Sequence, residues 1–230
     1  MRYTRYDLKK DKDTKIFIIS ILTLFFMAFV IGTFVFKVII KNTGNFGENI
    51  SESQVERANS NSKYVKFIAV QGGVYRDNNN ANAEKNLLAK YGLAFCITDS
   101  DKTRVFLGIY PEENGKQIME SLTSQKIDNT HMIFTVNQNS SCNVEITQII
   151  NANLKILNKL SESDVKSIKT EDLKKWCSSL KDVESNDNNG KLILKELKEY
   201  INKLPQEIEK SNGEQNYIYI FNVLKKVASS

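Results

Sequence analysis

The hydrophobic pattern changes character three times along the chain. Residues 16–36, IFIISILTLFFMAFVIGTFVF, contain no charged residue, and the apolar run resumes after Lys37 with Val38, Ile39 and Ile40. At 1.5 Å per residue such a stretch is roughly 30 Å long, the thickness of a hydrocarbon core, so the pattern predicts one transmembrane helix over residues 16–40. Residues 41–62, KNTGNFGENISESQVERANSNS, are polar and aperiodic and read as a flexible linker. From residue 63 to 137 short apolar runs alternate with helix-like stretches. From residue 138 to 230 the spacing is helical throughout: Ile146, Ile149, Ile150, Leu154 and Leu157 recur on one face, as do Leu194, Leu197 and Ile201. Four helices are predicted there, at 144–160, 170–183, 191–210 (kinked at Pro205) and 215–227, with Ser161, Thr170 and the SNDNNG run as cap or turn signals.

The middle segment predicts the order βαββαβ. Strand one covers residues 64–71 and ends in Gly72-Gly73. A helix covers 81–91 and stops at Gly92. Strands two (93–98) and three (103–110) form a hairpin around Asp99-Ser100-Asp101, with Pro111 closing the second of them. A helix at 113–125 and a strand at 131–136 complete the unit. The expected fold class is therefore α+β: a transmembrane helix, a βαββαβ sheet with both helices on one face, then a small α-helical bundle.

Strand alternation sorts side chains between the two faces. Ile68 and Val70, with Val105, Leu107 and Ile109, form an aliphatic set that Leu87, Leu88, Tyr91, Ile118, Met119 and Leu122 of the helices can cover. Opposite them stand Phe67, Gln71, Arg104, Phe106, Gly108 and Tyr110. If this second face is open, its aromatic rings beside a guanidinium and an amide suit a polar, extended ligand such as a sugar chain. The other reading is that the C-terminal region packs on it.

Charge adds orientation and removes one function class. Of the net +5, most of the excess sits in residues 1–15, a predicted cytoplasmic tail with Arg2, Arg5, Lys9, Lys10, Lys12 and Lys15, while only Lys37 and Lys41 closely follow the span. The N-terminus is thus expected inside and everything after residue 41 outside. A cleaved signal peptide fits less well, because no small-residue site follows the apolar run. The parts beyond the tail are nearly balanced in charge, which argues against a nucleic-acid partner.

Little points to catalysis. His131 is the only histidine, no metal site is apparent, no phosphate loop is present, and no cofactor is expected. Cys96 with His131 lacks a supporting motif for a nucleophile pair, and Asp99 and Asp101 read as turn formers. Three cysteines, Cys96, Cys142 and Cys177, are too few for a disulfide framework and read as small apolar thiols.

Three fragments in register carry a family likeness: Val70-Gln71-Gly72-Gly73-Val74-Tyr75; Asn82-Ala83-Glu84 with Leu88 and Gly92; and Arg104-Val105-Phe106-Leu107-Gly108-Ile109-Tyr110. Together they resemble the SPOR (sporulation-related repeat) domain, across residues 63–137. Gly115 or Lys116 departs from the Ala that the family often has on the second helix, and Gly73-Val74 from a commoner Gly-Ser or Gly-Ala. The resemblance implies binding of peptidoglycan glycan strands stripped of stem peptides, with Gln71, Tyr75, Arg104 and Tyr110 as glycan-binding residues, to which the strand alternation adds Phe106 on the same face. It also implies a cell-membrane protein of the division septum with divisome or sporulation proteins as possible partners. The alternative is a non-catalytic adaptor in such an assembly, binding protein partners through the helical region.

Overall fold

The computed structural model describes residues 63–228 apart from 182 and 184. The predicted tail, transmembrane helix and linker lie outside the described residues. Among the described residues no helix is long and apolar enough to cross a membrane.

The βαββαβ order is present. Strands β1 (Tyr64–Tyr75), β2 (Phe95–Asp99), β3 (Lys102–Pro111) and β4 (Thr130–Asn137) form one antiparallel sheet in the order β2-β3-β1-β4, with helices α1 (Asn78–Leu88) and α2 (Glu112–Ser124) in the connections. The helix α1 begins earlier than its apolar spacing suggests, because the Asp77 carboxylate accepts the Asn80 backbone N–H at 2.9 Å and caps it. The β2–β3 hairpin turns through Ser100 and Asp101, with Ser100 at a φ of 56°.

Four more helices follow: α3 (Ser141–Leu160), α4 (Glu171–Ser179), α5 (Asn188–Lys203) and α6 (Lys210–Ala228). Pro205 does not kink a long third helix. It ends the helix: α5 stops at Lys203, and residues β6 (Glu207–Glu209) pair antiparallel with β5 (Ser167–Lys169), a two-stranded ladder the helical spacing conceals. The carbonyls freed at this break find donors in Thr170, whose hydroxyl reaches Pro205 O at 2.5 Å, and in Lys174, whose ammonium reaches Leu204 O. The Thr170 hydroxyl thus bonds across to the break and does not cap its own helix, whose first bond runs from Lys174 N–H to the Thr170 carbonyl at 2.9 Å. Asp187, in the SNDNNG run, does cap α5 by accepting Gly190 N–H at 2.7 Å.

The sheet lies between two layers. On one side α1 and α2 cover Ile68, Val70, Val105, Leu107 and Tyr110 with Ala81, Leu88 and Leu122. Gly115 of α2 sits so close to β1 that a Cβ there would be 2.7 Å from Ile68 Cβ, so a side chain at this position would push the helix or the strand aside. On the other side α3 and α6 cover Phe67, Ala69, Phe95, Phe106, Ile109, Phe134 and Val136 in one continuous core that extends through α4 and α5. Phe221 is its wedge: its ring centroid lies 5.2 Å from that of Phe106, 5.1 Å from Phe134 and 6.3 Å from Phe95. Tyr217, fully buried, stacks on Phe95 at 5.2 Å. Its hydroxyl donates to Asn158 Oδ1 at 2.6 Å, and Asn158 Nδ2 donates to Ile109 O at 3.3 Å, so a polar pin joins α6, α3 and β3. Within the helical layer Lys198 of α5 pairs with Glu145 of α3 at 2.7 Å, both largely shielded from solvent.

Because residues 63–137 and the helices that follow share this core, they should unfold together. Denaturation followed by fluorescence of Trp176, on α4, and by far-ultraviolet circular dichroism is expected to give coincident transitions. Phe221→Ala should lower stability by about 3–5 kcal/mol and shift both probes equally. Separate transitions, or a shift in the fluorescence curve alone, would show that the two segments are independent.

Candidate functional site

The five residues singled out in the sequence do not converge on one open surface. Two register shifts in β1–β3 decide where they go. Val70 pairs with Gly108, Gln71 with Phe106 and Gly73 with Val105, so Leu107 and Gly72 are extra residues in their strands. Beyond Leu107 the alternation reverses. Ile109 therefore joins Phe106 on the side of the C-terminal helices, and Tyr110 turns toward α1 and α2, opposite to the assignment by strict period two.

Tyr110 is 6% exposed, and its burial alone raises the phenol pKa well above the usual range. Phe106, fully buried, stacks with Phe95 at 5.2 Å under Phe221. Tyr75 is the last residue of β1 and not a loop residue beyond it. It is half-buried on the α1 side, where its hydroxyl donates to Glu84 Oε2 at 3.2 Å. Desolvation, with the Glu84 charge adding to it, raises its pKa. Both tyrosines lie over the glycine two residues before them: a Cβ at Gly73 would be 2.5 Å from the Tyr75 hydroxyl oxygen, and one at Gly108 2.6 Å from that of Tyr110. The Gly-x-Tyr spacing in the two strands is thus a packing device in which glycine leaves room for the ring.

Gln71 and Arg104 do come together. Arg104 Nη1 donates to Gln71 Oε1 at 3.4 Å, on the face that α3 and α6 fill further along the sheet. Gln71 is 7% exposed, whereas Arg104 is half-buried and Val74 beside it, paired with Arg104 across the strands, is 40% exposed. Thr130 on β4, opposite Gln71, is exposed. What remains is a small polar rim offering a guanidinium, a hydroxyl and a little aliphatic surface, with no aromatic ring presented to solvent. Comparison with known proteins adds nothing to this geometry. No family model, curated protein or solved structure matches the chain.

The remaining reactive groups are apart. Cys96 is on β2 and His131 on β4, the two outer strands, at least three strand spacings or roughly 14 Å apart, and they are offset along the strands as well. Cys96 is partly exposed, and desolvation raises its pKa, with Lys85 acting in the opposite sense and Glu214 in the same one. Cys142 and Cys177 are buried and unpaired. Among the described residues no group of acidic, histidine and cysteine side chains has the arrangement of a metal site. Asp101 pairs with Arg76 at 3.2 Å on an exposed surface, in keeping with a turn.

One polar cluster had no motif to announce it. Glu214, from the first turns of α6, accepts the Cys96 backbone N–H at 3.4 Å and is held by Lys85 of α1 at 2.6 Å. Only the fold brings residues so distant in sequence into contact.

The division between rim and core can be measured. Arg104→Ala should cost about 1 kcal/mol, the loss of one long hydrogen bond from a half-buried guanidinium, whereas Phe106→Ala should cost about 3–5 kcal/mol. Urea titrations of both variants check this; equal and small effects would mean that Phe106 is not enclosed as described.

Proposed function

We propose that this chain is a non-catalytic adaptor of the bacterial cell envelope, tethered to the membrane by residues 16–40, with residues beyond 41 outside the cytoplasm in a division or sporulation assembly. One observation carries the reading. The sheet face that a sugar chain would need is filled by Phe221, Tyr217 and the rest of the C-terminal layer, which leaves protein surface, not an aromatic platform, as the means of recognition. The charge balance of the folded part supports a protein partner over a polyanion.

A second reading, recognition of denuded peptidoglycan strands at the septum, draws on the contact between Gln71 and Arg104. These two motif residues meet near the end of the sheet, where the half-buried guanidinium keeps donors for sugar hydroxyls. Its rim is small for an extended polymer, and the rings that would stack on sugars are enclosed.

Retention on purified sacculi separates the two. The region from residue 42 onward, incubated with sacculi before and after enzymatic removal of stem peptides, should pellet with neither, and Arg104→Ala should leave the distribution unchanged. Retention only on denuded sacculi, lost in Arg104→Ala or Gln71→Ala, would replace the adaptor by the glycan binder.

A further inference from the structure

The two edges of the sheet are treated differently. In the antiparallel β2–β3 hairpin the pairs Asp99–Lys102, Ile97–Arg104 and Phe95–Phe106 face inward, so Cys96 turns its backbone groups outward. That outward N–H is the one Glu214 accepts, and Lys85 holds Glu214 in place. A charged side chain thus covers the short β2 edge, a common way of preventing further strand pairing.

Among the described residues the edge formed by β4 has no such guard. Gln138 N donates to Lys63 O, which fixes the phase of the β1–β4 ladder: even-numbered residues of β4 bond to β1, and His131, Ile133 and Thr135 direct N–H and C=O away from the sheet. Among the described residues, no group bonds to those outward amides and carbonyls; the nearest polar cover is Asn143 Nδ2 on Asn137 O, at the strand's end. The strand runs eight residues with no proline and, apart from His131, no ionisable side chain. Ile133, at the middle of the open stretch, is 48% exposed.

From this geometry we infer that β4 is an interface strand and that its occupant is a second copy of this chain, paired antiparallel about a two-fold axis at Ile133. In that register Ile133 faces Ile133 of the other copy, so each exposed side chain covers its twin. His131 faces Thr135 and Thr135 faces His131, so no two like charges meet. The six outward backbone groups of each strand, from His131, Ile133 and Thr135, all find partners. A neighbouring register loses this self-match, because it sets Ile133 against a polar residue or leaves one end of the strand unpaired. The inference does not depend on the adaptor reading, since it concerns a different surface from the Arg104 rim and a different partner.

The test uses the full chain in native membranes or mild detergent, with Cys96→Ser removing the partly exposed thiol. Ile133→Cys places two sulfurs across the axis, where opposed Cα atoms are about 5.5 Å apart and within disulfide range. Thr135→Cys places them about four residues, or roughly 13 Å, apart. Mild oxidation should convert Ile133→Cys to a covalent dimer of twice the chain mass and leave Thr135→Cys monomeric. In the otherwise unaltered chain, Ile133→Lys should weaken self-association about tenfold or more by light scattering, with an unchanged circular dichroism spectrum. Equal cross-linking of the two cysteine variants, a cross-link only to a different polypeptide, or an unaltered chain that is monomeric at every concentration would each overturn the two-fold β4 pairing.

Discussion

The aromatic contact between α6 and the sheet is the interaction on which the rest of the molecule depends. Phe221 is inserted among Phe95, Phe106 and Phe134, one ring from each of β2, β3 and β4, and Tyr217 stacks beside it on Phe95. Without this layer, four strands would expose Phe67, Phe95, Phe106 and Phe134 to water, and the burial of large rings is among the larger single contributions to a domain of this size. With it, the sheet becomes the middle of three layers. The positions of α3, α4 and α5 then follow, since they pack around α6 and α3 in the same core. The Asn158 pin gives the layer a fixed register on β3, because Asn158 bonds both the Tyr217 hydroxyl and the Ile109 carbonyl.

The strands and helices were legible in the sequence because their signals are local. Alternating and helical spacing, Pro111, and the Asp- and Asn-rich turns place the βαββαβ order and the existence of four later helices, although the third was carried past its end at Lys203, through Pro205 and into β6. The covering of both sheet faces was also written there, though less plainly. The run Phe67-Ile68-Ala69-Val70 is apolar without alternation, as is most of Val105 to Tyr110, and a strand apolar on both faces is one buried on both faces. Arg104 and Gln71 drew attention to an open surface, but they describe only the end of the sheet. The bulge at Leu107 was not legible. Nothing in the local sequence marks which residue is the extra one, and a one-residue slip moved Ile109 and Tyr110 to opposite faces from those that simple alternation assigns. The β5–β6 ladder and the contact of Lys85 with Glu214 were hidden for a different reason: each joins segments far apart in the chain, and no pattern within either segment encodes the meeting.

The Gly-x-Tyr spacing of β1 and β3 shows how a motif can describe a fold without describing a function. Each glycine is required by the ring two residues later, and each ring is turned into the α1–α2 side of the sheet, where Tyr110 is enclosed and Tyr75 is held by Glu84. A chain that keeps this spacing keeps the strand geometry. Whether it keeps a ligand depends on the opposite face, which in other respects is free to vary. Here that face has been given over to the C-terminal helices, so the spacing alone does not place a ligand on it.

Among the described residues, the parts of the sheet least enclosed by the two layers are its end near Arg104 and its outer strands. Lys85 and Glu214 serve twice at one of those strands, joining α1 to α6 across the sheet and occupying the N–H of Cys96. An ion pair that is partly exposed contributes little to stability, so its location is the more informative property. A carboxylate on an outer strand keeps other strands away. The absence of any equivalent group among the described residues along His131, Ile133 and Thr135 is therefore a difference in kind between two edges of one sheet. A long outer strand left unguarded is a liability for a monomer, and the opposite edge shows that this fold has the means to guard one.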